Sequence, residues 1–167
     1  MGERTVKVSG CPECGGRGWK PERDGSASMC ECARERARKI RRIRAGISAS
    51  GYALSPKQKA LLTKIKNHPG SFILASRKHQ ELQDVAGAYL DFVLSGGVRG
   101  MYCSLPIVEG EFGKLLQLEV LIADGVGKFD GLVRERIRLG KKTIVLAVIP
   151  ENENRLGAFG LPVIVYD

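Results

Sequence analysis

Four of the five cysteines in this chain fall in one short stretch, as Cys11-Pro12-Glu13-Cys14 and then Cys30-Glu31-Cys32. No other feature limits the fold as much. Between the two pairs run Gly15-Gly16-Arg17-Gly18-Trp19 and a polar segment from Pro21 to Ser28, too rich in glycine and polar residues to hold itself together by burial. A Cys-x2-Cys pair, 15 intervening residues and a Cys-x-Cys pair is close to zinc-ribbon spacing, with a tighter second pair. Four thiolates would close a tetrahedral shell with Zn–S arms of about 2.3 Å and leave no position for a substrate, so the expected site is structural. The expected ligands are Cys11, Cys14, Cys30 and Cys32, and the expected cofactor is Zn2+. An iron–sulfur cluster is the lesser alternative, because Cys-x-Cys also occurs in cluster sites. The bland reading is four reduced, unligated thiols in a disordered arm. Trp19, the single tryptophan, is expected to be the module's one substantial apolar anchor.

Past the last cysteine of the cluster the periodicity becomes helical. Ala33, Ala37, Ile40, Ile43 and Ile47 recur at three- and four-residue steps. Arg34, Arg36, Arg38, Lys39, Arg41, Arg42 and Arg44 fill the remaining positions, seven basic residues in eleven with Glu35 opposing them. A solvated charged face is the ordinary meaning of such a run, but this density exceeds what solvation needs and points to a polyanion or an acidic partner surface. The isoleucine stripe is expected to be buried, against the rest of the chain or against another protein. Charge supports the same emphasis: residues 1–50 carry 12 Lys/Arg against 6 Asp/Glu, and residues 51–167 carry 15 against 12.

Gly46 marks the expected helix end and Ser48-Ala49-Ser50-Gly51 a linker. The expected organisation is a zinc module with its basic helix over 1–47, a linker over 48–54 and a second domain over 55–167. Ser55-Pro56 is a helix start, with serine as N-cap and proline at the first helical position; His68-Pro69-Gly70 ends that helix. Strand-like runs then follow at Ser71–Ala75, Met101–Ser104, Val120–Asp124, Thr143–Ile149 and Pro162–Tyr166, interleaved with helical patterns at Gln80–Leu94 and Asp130–Leu139. A further short strand is expected at Thr5–Val8. The alternation predicts an α/β domain with a doubly wound parallel sheet of about five strands. Aromatics make up 6% of the chain, so its core must rest on Leu, Ile, Val and Ala. No run of about 18 apolar residues marks a membrane span, and the first residues contain no apolar signal region. A cytoplasmic protein is expected, where clustered cysteines favour metal over disulfides.

The second domain is as informative in what it lacks. A P-loop would place Gly-x4-Gly-Lys-Ser/Thr after the first strand. Here Ser71-Phe72-Ile73-Leu74-Ala75 runs into Ser76-Arg77-Lys78-His79 with no glycine, and Lys78 reads as an exposed loop lysine. Val120 to Asp124 is a buried strand ending in a carboxylate, as magnesium-holding folds use, but Gly125 stands where a second acid would be; Asp124 is expected to cap a turn. His68 and His79 are expected at the surface, and Cys103 as a small core hydrophobe. An enzyme built on the sheet's carboxyl edge would draw on Asp124, Lys128 and Glu151. No nucleophile and base can be paired by spacing, so no enzymatic activity is expected.

Cys11-Pro-Glu-Cys14-Gly-Gly-Arg-Gly-Trp19, then Cys30-Glu-Cys32 and an Arg-rich helix ending Arg44-Ala-Gly-Ile47, resembles the N-terminal module of bacterial and phage replicative-helicase loaders of the DnaC/DnaI type. The later part is similar in order to their AAA+ body: Ser55-Pro-Lys-Gln-Lys resembles the linker helix, Val120 to Asp124 the Walker B strand, and Gly140-Lys-Lys-Thr143-Ile-Val the sensor strand. The match is specific over residues 11–47 and one of pattern beyond. In that family the zinc-bearing domain grips the ring helicase and the AAA+ domain binds ATP and single-stranded DNA. This chain departs where ATP chemistry is done: it has no Walker A motif, one acid at the Walker B position and no AAA+ lid helices before Asp167. The resemblance therefore implies a shortened, degenerate AAA+-like relative with no nucleotide, a monomer when alone and without a membrane partner. Its expected function is to bind a hexameric replicative helicase, as loader or loader-competitor, with single-stranded DNA as a further contact. The expected binding residues are Arg34, Arg38, Lys39, Arg41, Arg42 and Arg44 with Ile40, Ile43 and Ile47. The alternative is a zinc-dependent nucleic-acid-binding protein with no helicase partner.

Overall fold

The computed structural model describes residues 10–104 and 110–167; the strand expected at Thr5–Val8 lies outside them. The chain separates into two compact units, meeting at Arg41 and Arg42. The division falls inside the basic helix, upstream of the 48–54 linker, because the segment after Arg41 is built into the α/β unit.

The first unit holds a two-stranded antiparallel hairpin, β1 (Trp19–Pro21) and β2 (Ala27–Met29), paired Trp19 to Met29 and Pro21 to Ala27. Its turn is closed by the Glu22 amide on the Ser26 carbonyl at 2.8 Å and by Asp24, whose carboxylate accepts from the Ser26 amide at 3.0 Å. Asp24 is acting in the usual way of a short acid in a turn, bonding backbone two residues on. Helix α1 (Glu31–Arg44) follows directly. It ends in a Schellman arrangement: the Gly46 amide reaches the Ile43 carbonyl and the Ile47 amide the Arg42 carbonyl, each at 3.0 Å. Gly46 sits at φ +78°, a left-handed position that glycine occupies without strain.

In the second unit, α2 (Pro56–Lys66) starts in a complete capping box, with the Ser55 hydroxyl accepting from the Gln58 amide and the Gln58 side chain accepting from the Ser55 amide at 2.8 Å. Two orphan donors are thereby satisfied reciprocally. Then come β3 (Phe72–Ser76), α3 (His79–Ser95), β4 (Gly100–Cys103), α4 (Phe112–Leu116), β5 (Val120–Asp124), α5 (Asp130–Arg138), β6 (Lys142–Val148) and β7 (Val163–Tyr166). The five strands β3 to β7 form one parallel sheet in the order β4-β5-β6-β3-β7. Alternate residues of β3 serve two cores. Phe72 and Leu74 join α2 and α3 through Leu61, Ile65, Leu82, Val85 and Leu90, while Ile73 and Ala75 join Phe129 and Val133 on the opposite face. Burial on both faces accounts for the continuous apolar runs of β3 and β5, as expected of a helix-covered parallel sheet. The doubly wound five-stranded sheet expected from the sequence is thus the observed fold, with α4 and the β1–β2 hairpin as elements it did not anticipate.

Arg136 is fully buried. It donates to the Thr143 hydroxyl at 3.0 Å and to the carbonyls of Leu115, Leu118 and Lys142. Burial pulls its pKa down to about 10, so it remains a cation at neutral pH, tying α5 and β6 to the chain around α4 through neutral acceptors.

Candidate metal centre and the carboxylate at the sheet edge

Cys11, Cys14, Cys30 and Cys32 come together with their sulfurs all within 4.8 Å of one another. Each pair arrives on its own local structure. The Gly15 amide closes on the Cys11 carbonyl at 2.7 Å, folding the first pair into a knuckle, and the Gly18 amide donates to Cys14 Sγ at 3.3 Å. Cys30 is delivered by the end of β2, its amide on the Gly18 carbonyl at 2.8 Å, and Cys32 by the first turn of α1. Gly18 is needed at φ +82°, and Ala33 packs where its Cβ would be.

The donor set fits a tetrahedral thiophilic ion. Arms of about 2.3 Å would space the sulfurs by about 3.8 Å; Cys11 to Cys30 is 3.7 Å and Cys14 to Cys32 is 3.4 Å. The Gly18 amide holds the Cys14 thiol down at about 6, whereas the neighbouring Cys14 sulfur drives the Cys32 thiol up to about 12. A bound dication would favour the thiolate form of all four sulfurs. Arg36 lies beside it, with Nη2 3.8 Å from Cys32 Sγ. Trp19 departs from the expectation that it anchors the module: it is 54% exposed. With Cys14 and Cys30 as the buried apolar side chains among the described residues of this unit, the cysteines themselves take the anchoring role.

On α1, Arg34, Arg38, Lys39, Arg41 and Arg44 are exposed. Arg34 lies 3.6 Å from Glu31, and Arg38 lies near both Glu31 and Glu35. Of the isoleucine stripe, Ile40 and Ile43 are not buried against the rest of the chain, being 51% and 63% exposed. Arg42 and Ile47, expected on the binding surface, are instead internal to the α/β unit. Arg42 makes a two-pronged ion pair with Asp91 at 2.8 and 2.9 Å and donates to the Ala49 carbonyl; Ile47 is buried in the core beside Ala45.

Asp124 does not serve as the turn cap expected of it. At the carboxyl end of β5 it accepts hydrogen bonds from His79 Nε2 at 2.6 Å, Tyr102 Oη at 2.7 Å and Gln83 Nε2 at 2.8 Å. Burial alone would raise its pKa, but the bonds from Gln83, His79 and Tyr102 outweigh it and hold the carboxyl below its ordinary value. His79 lies at the surface as expected, at 45% side-chain exposure, but is bonded to Asp124 rather than isolated, while His68 rests its ring on Phe72 and its Nδ1 against the Gly70 carbonyl. The partners of Asp124 lie 41, 45 and 22 residues away, and the only local signal for the pair was a histidine in the first turn after an apolar strand. Lys128 and Glu151, the other residues considered for an enzymatic edge, stand exposed. Lys78 is exposed and paired with Glu81 at 2.9 Å. Cys103 is half-buried between two core clusters, and burial raises its thiol to about 11.

No family model matches the chain, and no curated protein matches it. Among solved structures, the chain is similar to the solution structure of protein NMB1076 from Neisseria meningitidis, at 20% identity, covering 69% of this chain and 87% of that one with a TM-score of 0.40. A likeness at that level carries no argument about what the chain does. Among the described residues, no helix is long and apolar enough to cross a membrane.

Proposed function

We propose that the protein is an adaptor that binds a hexameric replicative helicase, as loader or loader-competitor, through a zinc-stapled module and its basic helix, without using ATP. The observation that carries this reading is the exposure of Ile40 and Ile43, at 51% and 63%, among the arginines of α1. Apolar side chains presented singly are unremarkable, but two isoleucines one turn apart on a helix with this charge form the kind of mixed surface that a complementary acidic and apolar partner face would cover. The cysteine cluster supports zinc as the resident ion, holding the start of that helix by a closed S4 site. The body supports a nucleotide-independent role in two ways. Its elements follow the order that the loader resemblance implies, with β6 pairing to both β3 and β5. Its Asp124, at the Walker-B-like position, already has three side-chain donors, and the β3–α3 junction has no glycine to wrap a phosphate.

Co-purification with a hexameric replicative helicase tests the reading, using wild type and an Ile40→Asp/Ile43→Asp variant with unchanged circular dichroism. Capture by wild type and loss in the variant are expected; equal capture by both, or none by either, would sink it. Magnesium-dependent ATP binding in the micromolar range would refute nucleotide independence. Steeply salt-dependent binding to single-stranded DNA without helicase capture would move the assignment to the nucleic-acid-binding alternative, in which the exposed arginines of α1 contact phosphates.

A further inference from the structure

The α/β unit contains a cleft of about 570 Å³ lined by Gly46, Ile47, Ser48, Gly51, Tyr52, Ala53, Gln80, Gln83, Asp84, Tyr102 and Ser104. It opens beside the carboxyl end of the outermost strand β4 and the first turns of α3, and its volume is that of a small-molecule site. Two glycines make the space. A Cβ on Gly87, inside α3, would come 2.1 Å from the Tyr52 hydroxyl, so Tyr52 is seated directly on the helix backbone. Glycine inside a helix costs about 1 kcal/mol relative to alanine, and here that cost gives Tyr52 its seat. A Cβ on Gly46 would meet the Tyr102 carbonyl at 2.6 Å, so glycine is also required where the α1 terminus approaches β4.

The lining decides what could enter. Among the described residues, Asp84 is the one charged residue in the lining, and no lysine or arginine belongs to it. Arg42, whose guanidinium passes close to Gly51, is already bonded to Asp91 and the Ala49 carbonyl. The Gln80 amide donates to Asp84 at 3.0 Å and the Gln83 amide to Asp124 at 2.8 Å, which leaves their carbonyl oxygens as acceptors. With the Arg42 guanidinium taken up by Asp91, an anionic phosphate would gain little counter-charge from the described lining. A planar cation rich in donors would find a carboxylate, amide carbonyls, serine hydroxyls and two tyrosine rings.

We propose that this cleft is a binding site for a guanidinium group, carried either by free arginine or by an arginine side chain of a peptide. The site belongs to the α/β unit and stands independently of the helicase-adaptor reading.

The test is a two-dimensional NMR titration of the whole chain with L-arginine, with an acetylated, amidated Ala-Arg-Ala tripeptide, and with its citrulline counterpart, which keeps the shape and lacks the charge. Saturable shifts at Tyr52, Gln83, Asp84 and Ser104 are expected with the arginine probes, with citrulline weaker by about tenfold or more. Asp84→Asn should weaken binding by about tenfold. Gly87→Ala, which favours the helix yet displaces Tyr52, should do the same, and the spectra themselves report that each variant is folded. Tighter binding of the tripeptide than of arginine, or the reverse, supports the site and names its source. No saturable shift with either arginine probe, equal binding of citrulline, or unchanged affinity in both variants would overturn the proposal.

Discussion

The two units are ordered by different kinds of force. Residues 10–41 have a hairpin of two three-residue strands, most of a helix with no buried residue and a cysteine cluster. The α/β unit has strands buried on both faces and two apolar cores flanking them. A hairpin of this size is marginal in water by itself, whereas the central strands β3, β5 and β6 are buried on both faces and draw on that burial. The contrast teaches that removing one ligand should dismantle the first unit, while no single side chain should do that to the second.

The largest effect is expected at the cysteine cluster, which could hold a metal ion. Structural zinc in small thiolate sites supplies about 10 kcal/mol or more of folding free energy. Chelation, or Cys11→Ser/Cys14→Ser, should therefore unfold residues 10–32, seen as fast proteolysis and collapsed amide dispersion there, with the thermal transition of the α/β unit retained. Loss of both units together would break the comparison. Next is Arg136→Met, which leaves the carbonyls of Leu115, Leu118 and Lys142 without their donor. Several buried acceptors orphaned at once cost about 3 kcal/mol or more, so urea denaturation should show a large loss in the α/β unit.

Asp124→Asn should cost about 1–3 kcal/mol, the penalty for disturbing a buried hydrogen-bonded carboxylate, and that cost should depend on pH. Because the folded carboxyl lies below its ordinary value, its contribution is fully present above the unfolded pKa of about 4 and disappears as pH falls through the folded one. Wild type and variant should therefore differ in stability at neutral pH and converge in acid; a gap that stayed constant would remove the carboxylate's charge from the account. The smallest effect is Ser55→Ala, about 1 kcal/mol by the same denaturation assay, from loss of the N-cap on α2.

Much of this architecture was legible because it is written in local pattern. Ser55-Pro56 announces a capping box, the apolar runs at 72–76 and 120–124 announce buried strands, and Gly46 announces the end of α1. Cysteine spacing likewise announces a four-sulfur cluster, since the ligands sit in two pairs on adjacent turns. What was not legible depends on partners distant in sequence. Arg136 looks like a surface arginine on an amphipathic helix until the carbonyls around α4 surround it. His79 and Asp124 are 45 residues apart, and neither neighbourhood names the other. Trp19 misled for a related reason: a large aromatic is expected inside, but a unit of this size has no interior to receive it. Ile47 belongs to the helical repeat by spacing and to the α/β core by position, because the Schellman turn redirects the chain between Arg44 and Ile47.

That turn has one more effect. The Ala45 carbonyl accepts the Tyr102 amide at 2.8 Å, on the side of β4 turned away from β5. An outermost strand with bare amides invites another chain to add itself, the usual route to swapped dimers and fibrils. Here the Ala45 carbonyl, just past the arginine helix, takes the Tyr102 amide, so the segment that leads into the α/β unit also covers part of the β4 edge.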